Sequence, residues 1–142
     1  MADLILERKL GTPIDRVFQF VTQPENLTQW WGPEGMTVPE GDLDFSRLGP
    51  WDSVMMNSEG QKYKVSGTVT AINAPTLVAF TWAWHDENDQ RGHESRVTIE
   101  LIEQSGGTLF RLTHAGLADE ESSKNHEQGW NSTLNKLERM AA

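Results

Sequence analysis

DEESSKNHEQGWNSTLNKLERM, residues 119–140, decides the fold. Asp119 is a good N-cap, because its short carboxylate accepts from the free N–H groups of a first helical turn. Glu120 and Glu121 follow at the positive end of the helix dipole, and Lys136 and Arg139 stand near its negative end. His126, Trp130, Thr133, Leu134, Leu137 and Met140 recur at three- and four-residue spacing, which gives one apolar stripe. A helix over 119–140 is about 33 Å long at 1.5 Å per residue, enough to cross a six- or seven-stranded sheet.

The segment before it supplies such a sheet. Strands are expected at 37–45, 50–57, 61–72, 76–84, 94–103 and 108–114. They are separated by turn chemistry such as Ser58-Glu59-Gly60, Asn73-Ala74-Pro75 and Ser105-Gly106-Gly107. Tyr63, Val65, Gly67, Val69 and Ala71 share one face by alternation, as do Val97, Ile99 and Leu101. Val78, Phe80, Trp82 and Trp84 form a third apolar row. Short turns between consecutive strands make an antiparallel meander with one face to be covered.

The N-terminal part adds a strand over 3–10 and two short helices. Thr12 is placed to cap the first, with Pro13 at its first position and Val17, Phe18 and Val21 at helical spacing. Pro24 opens the second, and Gly32-Pro33 ends it just after Trp30-Trp31. The fold class is therefore α+β: a curved antiparallel sheet of six to seven strands wrapped around a long C-terminal helix, with 1–142 as one domain.

Composition narrows the function. Against 12 Lys and Arg stand 21 Asp and Glu, a formal charge of −9. That charge repels phosphate backbones and anionic lipid surfaces, so neither nucleic acid nor membrane is an expected partner. The absence of cysteine removes disulfides, thiolate nucleophiles and Cys-based metal sites. Mean hydropathy is −0.55, and the start of the chain is too short and charged for a signal peptide, so a cytoplasmic protein is expected.

The element order and several motifs resemble the helix-grip fold of the START-like (SRPBCC) superfamily. Within it the chain is similar to the family named for the activator of the 90-kDa heat-shock protein ATPase. The motifs are Pro13-Ile14-Asp15-Arg16-Val17-Phe18, Pro24-Glu25-Asn26-Leu27, Trp30-Trp31-Gly32-Pro33, and Leu112-Thr113-His114-Ala115-Gly116-Leu117 leading into His126-Glu127-Gln128-Gly129-Trp130. Many relatives carry a Gly-Gly pair where this chain has Gly49-Pro50, and the acidic loop Asp86 to Asp89 is not part of the resemblance. The resemblance implies a cavity between helix and sheet. It also implies three functional alternatives: binding of a small hydrophobic molecule, polyketide cyclase- or aromatase-like catalysis, or interaction with a chaperone partner.

The six tryptophans are the chemical oddity. Indole offers a flat apolar face and one N–H donor, suited to an aromatic ligand. The expected cavity wall comprises Trp51, Met55, Tyr63, Phe80, Trp82, Trp84, His114, His126, Trp130 and Leu134. Trp30 and Trp31 are read as structural anchors of the second short helix. The proton-transfer candidates of the enzyme alternative are His114, His126 and Tyr63. No His-x-x-x-His pair is present, so no metal and no cofactor is expected; His85 and His93 merely flank the acidic loop. No nucleophile–base pair, phosphate loop or dinucleotide fingerprint is recognisable in the sequence.

Overall fold

The structure, a computed structural model, describes residues 2–141. Strand β1 (Ala2–Leu10) leads to helices α1 (Ile14–Thr22) and α2 (Pro24–Trp30). Strands β2 (Thr37–Glu40), β3 (Gly49–Met56), β4 (Lys62–Asn73), β5 (Leu77–Trp84), β6 (Ser95–Gln104) and β7 (Gly107–Leu117) follow, then helix α3 (Glu120–Met140). The seven strands form one antiparallel sheet in the order β1-β7-β6-β5-β4-β3-β2. The meander is continuous from β2 to β7, and β1 closes the far edge by pairing Leu6 with Leu112 and Leu10 with Thr108.

Alternation sets the inner face. Along β3, Trp51, Ser53 and Met55 are buried while their neighbours are partly exposed; β5 buries Val78, Phe80 and Trp82, and β6 buries Val97, Ile99 and Leu101. Helix α3 covers this face with Trp130, Thr133, Leu134 and Leu137, all buried. Asp119 caps it as its chemistry dictates, accepting from Ser122 N at 2.8 Å. At the other end of the helix, the Lys136 ammonium donates to the Trp31 carbonyl at 3.2 Å, which ties α3 to the C-terminal end of α2. No helix is long and apolar enough to cross a membrane among the described residues.

Three local expectations are corrected. Thr12 does not cap α1: Pro13 occupies the N-cap position, and the Thr12 hydroxyl donates instead to the Ala141 carbonyl at 2.5 Å. The last strand runs on to Leu117, past the expected end at 114. The strand expected over 37–45 stops at Glu40. Gly41 turns the chain at φ +124°, and a Cβ there would lie 2.6 Å from the Asp52 carbonyl oxygen, so only glycine fits. Beyond it Leu43 and Phe45 are still buried, but as an irregular segment. The Phe45 amide donates to the Thr22 carbonyl, and its ring stacks on Phe80 at 4.2 Å.

That insertion matters for the interior. Phe45, Trp51, Phe80, Trp31, Trp82 and Trp130 interlock through ring–ring contacts of 4.2 to 6.5 Å, among them the edge-to-face pairs Trp31–Trp51, Trp31–Trp130 and Phe45–Trp51 that the aromatic quadrupole favours. Much of the space between helix and sheet is therefore filled by the chain itself.

Candidate ligand-binding cavity

What remains open is a cavity of about 510 Å³ at one end of the helix–sheet space. One wall is the N-terminal half of α3, with Ser122, Asn125, His126, Gly129, Trp130 and Thr133. The floor is Trp82 and Met55 from the sheet. Trp31-Gly32-Pro33, which follows α2, forms the third side, and Trp84, Asp119 and Glu121 stand at the rim. Four indoles thus face one space. The lining carries two carboxylates and no lysine or arginine.

The sequence-derived set divides. Met55, Trp82, Trp84, His126 and Trp130 line the cavity. Trp51, Phe80, His114 and Leu134 are buried in the interior but do not line the cavity. Tyr63 lies outside: it is 41% exposed near the sheet margin, and its hydroxyl meets Gln61 at 3.3 Å. It shares the face of Val65, but α3 does not reach over that end of β4. Trp30 is an anchor, its indole donating to the Phe20 carbonyl at 2.8 Å. Trp31 is more than an anchor, because its buried ring is also cavity wall. Its exclusion from the expected set followed from reading Trp30 and Trp31 as a pair, although Gly32-Pro33 turns the chain between α2 and β2 and carries Trp31 inward.

The polar side chains at the cavity are tied into a defined pattern. Indole N–H can only donate. Trp84 Nε1 lies 3.0 Å from His126 Nε2, so that nitrogen is the acceptor and His126 carries its proton on Nδ1, which donates to the Ser122 carbonyl at 2.7 Å. Trp130 Nε1 lies 3.1 Å from His114 Nδ1, so His114 carries its proton on Nε2, which donates to Ser95 Oγ at 2.7 Å. The Ser95 hydroxyl in turn donates to the Trp82 carbonyl at 3.3 Å. The two imidazoles are thus held in opposite orientations, each accepting from a tryptophan N–H. Burial first, and then the nearby His126, push His114 down to about 3, so it stays uncharged through the physiological range.

Neither histidine has a free ring nitrogen to offer a substrate. A general-base role would first require an indole to release its acceptor. The indole N–H groups of Trp31 and Trp82 have no oxygen or nitrogen partner among the described residues. Trp31 is met edge to face by Trp51 at 5.9 Å and by Trp130 at 5.7 Å, so aromatic faces surround it. No three His, Asp or Glu side chains converge as a metal site requires, among the described residues.

Comparison with known proteins agrees with this architecture. A family model described as Activator of Hsp90 ATPase homolog 1-like protein matches residues 11–142. Among solved structures, an AHSA1 protein from Silicibacter pomeroyi is 50% identical, with a TM-score of 0.94, over 98% of this chain and 96% of its own. A protein from Nitrosomonas europaea is 26% identical, with a TM-score of 0.79, over 98% of this chain and 93% of its own. A protein from Chromobacterium violaceum, at 23% identity and a TM-score of 0.87 over 98% and 96%, shares the fold. No curated protein matches.

Proposed function

This chain belongs to the Activator of Hsp90 ATPase homolog 1-like protein family, and from that premise we propose that its cavity binds one small aromatic or hydrophobic molecule. Gly129 carries the reading. A glycine inside a helix costs about 1 kcal/mol relative to alanine, and packing gives no reason for this one. A Cβ added at Gly129 would meet nothing closer than the Pro33 ring at 4.0 Å. Gly129 and Pro33 both line the cavity, so the missing side chain leaves open the space between them.

Size and chemistry support the same reading. Ligand sites commonly enclose roughly 300–1,000 Å³ and are largely apolar with a few placed polar groups. Here flat indole faces supply the apolar wall, and burial of ligand surface against them would drive binding at about 25 cal/mol per Å². Asp119 and Glu121 at the rim, with no cationic side chain in the lining, set the electrostatic preference. An aromatic ammonium or neutral ring is favoured over a carboxylate of the same shape, since cations are attracted to indole faces.

A matched trio of aromatic ligands, one neutral, one ammonium and one carboxylate, titrated with indole fluorescence and thermal melting as readouts, tests this. The proposal expects the ammonium and neutral members to perturb both readouts and the carboxylate to bind weakest. Flat titrations for all three would refute it.

A further inference from the structure

The outer face of the sheet carries a second constellation, remote from the buried face that α3 covers. Ser66 sits in β4 between inward-facing Val65 and Gly67, so its side chain points away from the core. His85 follows the last residue of β5, held by its backbone N–H, which donates to the Lys64 carbonyl at 2.9 Å. The acidic loop then folds into a turn. The Asp86 carboxylate accepts from the Asn88 and Gln90 amides at 2.8 and 3.0 Å, and Asp89 adopts φ +61°. A left-handed conformation is uncommon outside glycine, although aspartate tolerates it better than most. It returns the Asp89 side chain to His85.

The resulting contacts run in one line. Ser66 Oγ is 2.6 Å from His85 Nε2, and His85 Nδ1 is 2.7 Å from Asp89 Oδ1. A carboxylate only accepts, so Nδ1 carries a proton, and in the neutral imidazole Nε2 then accepts the Ser66 hydroxyl proton. Lys64 first, and then His85, hold the Asp89 carboxyl below its ordinary value through hydrogen bonds, which keeps it ionised. Arg91 completes the group: Nε donates to Ser66 Oγ at 3.0 Å, Nη2 to the Ser66 carbonyl at 3.1 Å, and Nη1 to Glu94 at 3.1 Å.

We propose that Ser66, His85 and Asp89 form a nucleophilic triad that takes acyl groups from small activated aryl esters. Such triads are defined by geometry and roles, not by chain order. Here the base, its orienting carboxylate and the hydroxyl stand in those roles, with a guanidinium beside the reacting oxygen. Beside the triad, Lys64, His85, Asp86 and Asp89 line a surface groove that gives a small ester access to the imidazole from one side. In the reaction Ser66 Oγ bonds to the ester carbon as its proton passes to His85 Nε2. The carbonyl oxygen takes up the electron pair beside the N–H groups of Arg91 that remain free. Collapse restores the carbonyl, breaks the bond to the aryl oxygen and returns the proton from His85 to the departing phenol. Water then repeats the sequence at the acyl carbon and releases the carboxylic acid.

A network that only pins the β5–β6 loop would have the same hydrogen bonds and an unreactive hydroxyl, so reactivity decides. The intact protein is treated with a fluorophosphonate, followed by intact mass and peptide mapping, and separately with p-nitrophenyl acetate. The expected result is one adduct, on Ser66, and a burst of one p-nitrophenol per chain. His85→Gln should slow labelling at least tenfold with an unchanged melting temperature, and Ser66→Ala should abolish it. Because the mapping is done on the unmodified chain, it needs no variant to fold. No adduct at Ser66, adducts only elsewhere, or labelling of His85→Gln at the original rate would each overturn the proposal.

Discussion

Trp84 Nε1 donates to His126 Nε2 at 3.0 Å, joining the last residue of β5 to the N-terminal half of α3 across the cavity rim. The bond adds to the ring contacts of Trp82 with Trp130 and His126 between the same two elements. Trp84 is 37% exposed, so its ring serves the rim more than the core. Trp84→Ala is therefore expected to weaken binding of an aromatic ligand about tenfold, which is ~1.4 kcal/mol. Its cost to folding should be smaller than that of truncating a core tryptophan. Calorimetric titration beside urea unfolding checks both; equal affinity in the two proteins would remove Trp84 from the site.

The Trp130–His114–Ser95 chain predicts a pH dependence. His114 titrates at about 3 in the folded chain, below its ordinary value of 6.5. As pH falls, the unfolded chain takes the proton first. The stability tied to neutral His114 is therefore complete above about pH 6.5 and is lost progressively toward pH 3. The slope contributed by one proton is at most about 1.4 kcal/mol per pH unit. Denaturant midpoints compared between pH 7 and pH 4 should fall less steeply in His114→Gln than in the parent; identical slopes would contradict the assignment.

Gly67 is a steric requirement of the sheet. It pairs with Trp51, whose indole reaches the Thr81 carbonyl at 3.2 Å, and a Cβ on Gly67 would lie 1.9 Å from that same oxygen. Gly67→Ala must separate β4 from β5 locally, a packing strain of about 1–3 kcal/mol. Chemical unfolding should report that loss, with the native tryptophan emission also altered. A variant as stable as the parent would mean that the strands part without cost.

The same residues show what the sequence could reveal. Helix α3 was legible because its determinants are local: an N-cap carboxylate, acids in the first turn and a stripe through Leu134 and Leu137. Alternation identified which strand residues face inward, and so pointed to Trp82, Trp84 and Met55. It could not give depth. Trp51 and Phe80 face the right way but are covered by Trp31 and Phe45, His114 is covered by Trp82 and Trp130, and Leu134 is buried without lining the cavity; Phe45 comes from a segment whose burial pattern imitates a strand. Tyr63 has the right face on a part of β4 that the helix does not cover. The Ser66–His85–Asp89 line was invisible because it depends on the β4–β5 register and on a left-handed turn at Asp89, neither of which has a sequence period.

Gly129 offers the most direct test of the cavity. Gly129→Leu projects a side chain into the space beside Pro33 and also removes a helix glycine, so it should empty the site while keeping or raising the melting temperature. Native mass spectrometry of both proteins purified from the native host is the measurement. The expected result is one small molecule retained per chain by the parent and none by Gly129→Leu. A parent chain isolated with nothing bound, or a variant that retains the same molecule, would contradict the assignment of this cavity as a binding site.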